Sequence, residues 1–473
     1  MKLLGTRWTA WLVLPMLLTL SGGACAAEFD GAQLSAIWGV PFAGLLLSIA
    51  LMPLLLPHFW HHHYGKVAAA WGLAFLVPFA LVFGPAAAGA NTVHALFAEY
   101  IPFIILLTAL FTVSGGIYIR GNLHGSPGLN TAILAIGAVL ASFMGTTGAS
   151  MLLIRPLIRA NDNRKHVAHV VVFFIFIVSN AGGSLTPLGD PPLFLGFLKG
   201  VDFFWTLKAI FPETLFLVGS LLAIFFVLDS WYHRREDLMP RDPTPDSKGI
   251  GFDGAINFWL LAGVVGLVLM SGLWKSPVSF NIYGTEVGLA GVVRDLGLVA
   301  VTFLSLKITP AKVHADNQFG WGPMAEVAKL FAGIFLTIIP VIAMLKAGVN
   351  GPFGAVVQAV TKPDGSPDVM MYFWITGALS SFLDNAPTYL VFFNTAGGDP
   401  KVLMTTLAPT LAAISAGAVF MGANSYIGNA PNLMVKAIAE DRGVKMPSFF
   451  GYMLWSGAVL IPLFVIMSFI WFQ

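Results

Sequence analysis

Long apolar segments recur along this 473-residue chain, and their length limits what it can fold into more than any other feature. A helix needs about 20 mostly apolar residues to cross the hydrocarbon core of a bilayer. Segments of that kind lie at 34–56, 67–87, 98–118, 166–198, 212–230, 256–273, 288–306, 325–346, 402–436 and 450–471. The sequence therefore predicts an all-α polytopic membrane protein with about ten transmembrane helices.

The charge content agrees with this prediction. Charged residues make up 10% of the chain and hydrophobic residues 57%, whereas a soluble domain carries about a quarter charged residues. The net charge of +2 is too small for a nucleic-acid-binding surface. We expect a lipid bilayer around the protein and no nucleic-acid partner. No catalytic or cofactor motif is present, so we expect neither enzymatic activity nor a cofactor.

The N-terminus has the layout of a secretory signal. Lys2 and Arg7 precede a short apolar stretch that ends at Ala24-Cys25-Ala26, and this pattern predicts a cleavable signal over residues 1–26. The only cysteine would leave with the signal. Threading the segments from an outside N-terminus places about twice as many Lys and Arg inside as outside, as the positive-inside rule requires. We therefore expect an inner-membrane protein with both mature termini in the periplasm.

The chain divides into two halves that match each other at a constant offset. Ser142–Ala149 aligns with Ser381–Thr388, and the same offset carries Gly189–Pro192 onto Gly428–Pro431. These matches predict repeats at 34–230 and 256–473, separated by a cytoplasmic linker over 231–255. The first half begins outside and the second inside, so the repeats would be inverted.

Four apolar segments are interrupted by Gly, Pro, Asn, Ser and Thr. Segments 127–158 and 368–396 are predicted to be re-entrant helical hairpins, and segments 166–198 and 402–436 to be discontinuous helices. Broken backbone in a membrane persists only where it lines a cavity or is buried in protein. Inverted repeats with broken helices are typical of secondary transporters.

Two carboxylates, Asp190 and Asp384, lie at membrane depth beside the breaks. Intramembrane acids are costly and mark ion or proton sites, so we expect both to bind an alkali cation and a proton in turn rather than a structural metal. Pairing each hairpin tip with the break of its own repeat predicts two half-sites with one carboxylate apiece. The polar residues expected to complete the sites are Thr146, Thr147, Asn180, Ser184, Thr186, Asn385, Thr388, Asn424, Ser425 and Asn429.

These motifs resemble those of the ion transporter superfamily, which includes NhaD-type sodium/proton antiporters, arsenite carriers, citrate carriers and dicarboxylate carriers. Asp384–Thr388 is similar to the antiporters' D-N-x-P motif, and Gly182–Asp190 to their A-G-G-x-x-S-P-I-G-D motif. Asn424–Asn432 is closer to the G-N-x-x-N type of the anion and arsenite carriers. The resemblance implies a homodimer in which the hairpins and broken helices move as a transport domain.

Two transport functions follow, and they differ in the cargo. The leading hypothesis is exchange of Na⁺ or Li⁺ for H⁺, because no Lys or Arg adjoins the four breaks in sequence. The alternative is cation-coupled transport of citrate or a dicarboxylate, with half-helix N-termini holding the anion. A scaffold or receptor without transport would leave the four breaks and two acids without a role.

Overall fold

The computed structural model describes residues 30–121, 123–236 and 249–473. The signal predicted over residues 1–26 and the middle of the predicted linker lie outside these residues. The described residues are mostly helical with two small antiparallel strand pairs. This confirms the prediction of an all-α polytopic membrane protein.

The elements of the first half begin with two short 3-10 turns. They continue as α1 (Val40–Leu55), α2 (Pro57–Phe83), α3 (Pro85–His94), a π-helical turn (Ala95–Tyr100), α4 (Ile101–Gly115), β1 (Tyr118–Arg120), α5 (Pro127–Met144), α6 (Thr146–Ala160), α7 (Ala168–Ile177), α8 (Pro191–Leu198), α9 (Trp205–Ala209) and α10 (Phe211–Arg235).

The second half adds the remaining helices and strands. They are β2 (Gly251–Asp253), α11 (Ile256–Leu273), β3 (Ser279–Ile282), β4 (Thr285–Gly288), α12 (Leu289–Ile308), α13 (Ala311–Asp316), α14 (Gly322–Thr337), α15 (Ile339–Lys346), α16 (Gly354–Ala359), α17 (Val369–Ser380), α18 (Asn385–Thr395), α19 (Pro400–Met404), α20 (Ala408–Met421), α21 (Ala430–Asp441) and α22 (Phe449–Trp471). Strand β1 pairs with β2, and β3 with β4.

Nine helices among the described residues are long and apolar enough to cross a membrane, or ten if the pair α14 and α15, bent by 43°, is one span. The second span begins at Pro57 instead of residue 67. Proline is favoured in the first helical turn, where its missing N–H costs nothing. The predicted linker, 231–255, is helical up to Arg235 and contains strand β2 near its other end.

Each segment predicted to be a hairpin folds as two consecutive helices, although α5, with 18 residues, is one of the nine described helices long enough to cross a membrane. In the first, α5 and α6 turn at Gly145, which has a φ of 81° that favours glycine. In the second, α17 and α18 are 12 and 11 residues long. A 12-residue helix spans about 18 Å, which is too short to cross a hydrocarbon core of about 30 Å.

The two predicted discontinuous helices are also broken, and each break is fastened to a hairpin tip in the same way. Thr186 donates its hydroxyl to the carbonyl of Ser142, and Ser425 donates to the carbonyl of Ser381. Both bonds join positions that match at the offset found in the sequence. Each hairpin therefore holds the break that follows it through equivalent hydrogen bonds.

A buried ion-pair network ties the base of the first hairpin to α7 and α10. Asp229 is fully buried and accepts from Arg164 Nη1, His169 Nε2 and Asn130 Nδ2 at 2.8, 2.8 and 2.9 Å. Arg164 Nε also donates to Glu236 at 3.0 Å. These bonds fix the end of the hairpin against the start of the first broken helix.

Replacement of Asp229 by Ala is expected to destabilise the fold, because it leaves a buried guanidinium with only one of its two carboxylates. Breaking a buried ion pair typically costs about 3–5 kcal/mol. Thermal melting in detergent measures the effect, with the exposed Asp441→Ala as the control. Equal melting temperatures for the two variants would show that the network carries no stability.

Candidate functional site

Asp190 lies at the end of the first helix break, directly before the start of α8. Its backbone is extended, with φ −139° and ψ 141°, and Pro191 and Pro192 open the helix that follows. Proline fits the first turn of a helix, where its missing N–H costs nothing, and it restricts the residue before it to extended backbone. The side chain is 1% exposed, which places a carboxylate in the interior of the protein.

The Asp190 carboxylate accepts hydrogen bonds from three of the predicted site residues. Thr146 Oγ1 and Asn429 Nδ2 donate to Oδ1 at 3.1 and 3.2 Å, and Asn385 Nδ2 donates to Oδ2 at 2.6 Å. Thr146 starts the helix after the first tip, Asn385 starts the helix after the second tip, and Asn429 ends the second break. All four interruptions therefore meet at one carboxylate, and these four residues are called the carboxylate hub below.

The hub brings two positions that match in the sequence comparison into contact. Asp190 and Asn429 are matching positions, 239 residues apart, and they are hydrogen-bonded to each other. The acid that one half supplies is therefore surrounded by polar groups from both halves.

The two acids expected in separate half-sites have different surroundings. Asp384 does not join the hub. Its side chain caps α18 by accepting from the N–H of Ala386 at 3.1 Å, and it lines a cavity together with Asn429. Each tip is hydrogen-bonded to the break of its own half, as the sequence comparison paired them. In addition, the second tip reaches the first break through Asn385.

The hub retains open oxygen positions. A carboxylate can accept about four hydrogen bonds, and Asp190 accepts three from its side-chain neighbours. Asn385 Oδ1 is buried and has no hydrogen-bond partner among the described residues. No Lys, Arg or His of the described chain forms an ion pair with Asp190. An uncompensated charge in such surroundings is costly, so the hub is suited to a proton or a dehydrated cation.

Asn180 and Asn432 extend the hub on one side. Asn180 Oδ1 accepts from Asn429 at 3.2 Å, and Asn180 Nδ2 donates to Asn432 Oδ1 at 2.7 Å. Asn432 also donates to the carbonyls of Gly422 and Ser425 at 2.9 and 3.0 Å. Sequence reasoning left Asn432 out of the site, although it stands in the same Gly-Asn-Ala-Pro-Asn motif as Asn429.

Three of the predicted hydroxyls have other partners. Ser184 is hydrogen-bonded to Thr214 of α10 at 2.8 Å, so it faces away from the hub. Thr186 and Ser425 each donate to a tip carbonyl and accept a backbone N–H two residues later. These hydroxyls hold the shape of the breaks and lie outside the donor set of Asp190.

The remaining predicted residues lie around the second tip and near the first. Thr388 donates to the carbonyl of Asp384 at 2.9 Å. Asn424 donates to Ser381 Oγ at 2.9 Å, while its Oδ1 is buried without a partner among the described residues. Thr147 is half-buried beside the first tip.

A cavity of about 1040 Å³ leads from Asp384 and Asn429 to a surface rich in charged residues. Arg155 lines it. This arginine lies within α6 and is 5% exposed. It donates to Gln318 at 3.3 Å, and its Nε has no partner among the described residues. Sequence reasoning left Arg155 out of the site, although its position inside the apolar segment 127–158 is a signal for a functional charge.

The chain that contains the hub and the cavity matches the model of a protein family. Residues 31–472 match the model of a family described as putative citrate transport. The match covers nearly the whole described chain and agrees with the resemblance to the ion and citrate transporters seen at the breaks. No curated protein matches the chain.

Proposed function

The chain belongs to the putative citrate transport family and is therefore a membrane transporter, and we propose that it exchanges Na⁺ or Li⁺ for H⁺ at the carboxylate hub. The observation that carries the proposal is the donor set of Asp190. A fully buried carboxylate accepts only from neutral Thr and Asn side chains. Its charge must be balanced by whatever binds there.

Competition for one group is enough to couple the two ions. A cation that binds Asp190 displaces its proton, and a proton displaces the cation. The hub sits between four interrupted segments, where unpaired carbonyls and amide oxygens suit an alkali cation. Asn385 Oδ1, which has no partner among the described residues, supplies one such oxygen next to the carboxylate.

Asp384 takes the role of an entry residue in this proposal. It lines the cavity together with Asn429, and Asn429 in turn donates to Asp190. An ion that reaches Asp384 is therefore one residue away from the hub. We also propose that the two halves are inverted repeats in an inner membrane and that both termini are periplasmic. The protein would be a homodimer, and the cavity would open to the cytoplasm.

Exchange in inside-out membrane vesicles tests the function. The addition of Na⁺ or Li⁺ should dissipate an imposed proton gradient, and K⁺ at the same concentration serves as the control. Asp384→Asn should slow dissipation, because it removes the negative charge at the entry. A gradient that Na⁺ and Li⁺ leave unchanged would rule out exchange.

A second candidate, cation-coupled transport of citrate or a dicarboxylate, is favoured by two observations. The family is described by that activity, and the buried Arg155 lines the cavity with no ion-pair partner in the described residues. An arginine can hold a carboxylate through two parallel hydrogen bonds. The cation would then bind at Asp190, and the anion would bind in the cavity.

Replacement of Arg155 by Gln separates the two candidates. If the protein carries citrate, Arg155→Gln should lower labelled citrate uptake into proteoliposomes by about tenfold or more, because Gln cannot balance a carboxylate. Arg155→Lys retains the charge and should keep part of the uptake. If the protein exchanges cations for protons, native protein takes up no citrate and Arg155→Gln exchanges at nearly the native rate.

A further inference from the structure

A second cavity, of about 550 Å³, lies apart from the hub and is lined by basic residues. It is formed by the loop between α6 and α7, by the loop after α21 and by two membrane helices, α10 and α22. Arg164 and Lys165 come from the first loop, and Arg442 and Lys445 from the second. This cavity is called the basic pocket below. The proposed exchange does not use it.

One buried donor of the basic pocket has no partner. The side chain of Arg164 is 0% exposed, and its Nη1 and Nε are bound to Asp229 and Glu236. Its Nη2 has no hydrogen-bond acceptor among the described residues. A buried guanidinium N–H without an acceptor costs free energy that an anion in the pocket would recover.

The start of α7 gives a second, independent indication of an anion. Val167, Ala168 and His169 line the basic pocket, and no side chain caps this ten-residue helix. The first N–H groups of a helix are unpaired and carry the positive end of its dipole. Helix N-termini of this kind bind phosphate.

Among the described residues, the carboxylates near the basic pocket form no ion pair with its exposed cations. Asp162 lines the pocket, while Asp229 and Glu236 are both engaged by Arg164. Lys165, Arg442 and Lys445 are exposed, and no described carboxylate forms an ion pair with any of them. Among the described residues, the pocket therefore offers three cations without an ion-pair partner beside a helix that has no side-chain cap, although Glu236 accepts the N–H of His166 just before that helix.

We propose that the basic pocket binds a phosphate group, carried either by a phospholipid headgroup or by a free phosphorylated solute. Tyr232 and Trp455 also line it, from the two membrane helices, and such residues are enriched where a helix meets the headgroup region. Occupancy would join the base of the first hairpin to the end of the second broken helix. A ligand at this position would favour one arrangement of the two and so regulate transport.

The test compares the purified native chain with Arg442→Gln/Lys445→Gln, which alters only exposed cations that have no ion-pair partner among the described residues. Inorganic phosphate is titrated against melting temperature, with chloride at equal ionic strength as the reference. In parallel, native mass spectrometry compares retention of phosphatidate with that of diacylglycerol, which lacks the phosphate. Lys312→Gln, another exposed lysine, is the matched control.

Each outcome decides one point. Saturable stabilisation by phosphate that the double variant weakens about tenfold identifies a free solute as the source. Retention of phosphatidate by the native chain and Lys312→Gln, but not by the double variant, identifies a lipid. If the double variant matches the native chain with both probes, the basic pocket is not a phosphate site.

Discussion

Replacement of Asp190 by Asn is expected to abolish cation-driven proton movement. The substitution removes the only carboxylate of the hub, so neither H⁺ nor a cation has a charge to balance. We expect exchange to fall by about a hundredfold, which corresponds to a loss of roughly 3 kcal/mol in ion binding. The measurement is the rate of gradient dissipation in inside-out vesicles.

The variant should fold normally. The new amide oxygen at position 190 would still accept from Thr146 and Asn429, and rotation of the Asn385 amide would turn its unpartnered Oδ1 toward the new NH₂ group. Amides exchange their donor and acceptor sides in this way at little cost. Melting within a few degrees of the native protein should accompany the loss of exchange.

The matched control moves the acid to the equivalent position. In Asp190→Asn/Asn429→Asp, the carboxylate lies on the second half, hydrogen-bonded across the same contact. We expect this double variant to recover part of the exchange that Asp190→Asn loses. Full activity in Asp190→Asn alone would remove Asp190 from the mechanism.

Replacement of Gly189 by Ala is expected to prevent correct folding of the first break. A Cβ at this position would lie 2.1 Å from the carbonyl oxygen of Gly183 and 2.7 Å from its carbon. Both atoms belong to backbone, so no side chain can rotate away. Overpacking against movable side chains typically costs about 1–3 kcal/mol, and we expect a larger loss here.

The equivalent glycine provides a second measurement of the same effect. A Cβ on Gly428 would lie 2.5 Å from the carbonyl oxygen of Gly422 and 2.7 Å from that of Ser380. We expect both alanine variants to melt well below the native protein and to lose transport. Gly219→Ala and Gly457→Ala are controls, since each Cβ would enter open space. If Gly189→Ala melts at the temperature of the native protein, the backbones at Gly189 and Gly183 are not in close contact.

The architecture was largely predictable from the sequence because hydrophobic length and interruptions determine it. Both hairpins and both helix breaks occur in the predicted segments. The second span was predicted to start at residue 67, but the helix already begins at Pro57 and includes the polar histidines that follow it. Hydropathy reports on surroundings, while helix boundaries also depend on proline and capping.

The site was only partly predictable, because its members come from both halves. The matches identified Asp190, Thr146, Asn385 and Asn429 as polar residues at breaks, but not that they meet at one carboxylate. That the second tip also reaches the first break is decided by three-dimensional packing, which the sequence pattern does not show. For the same reason, no sequence pattern connected Arg155 to the cavity.

The most direct test of cation and proton competition at Asp190 is proton release from the purified protein. When Na⁺ or Li⁺ is added to native protein in weakly buffered detergent solution, the pH should fall as bound protons are displaced. The Asp190→Asn variant should release none under the same conditions, and K⁺ should release few from either protein. Equal release from the native protein and the variant, or no release from either, would contradict exchange at this carboxylate.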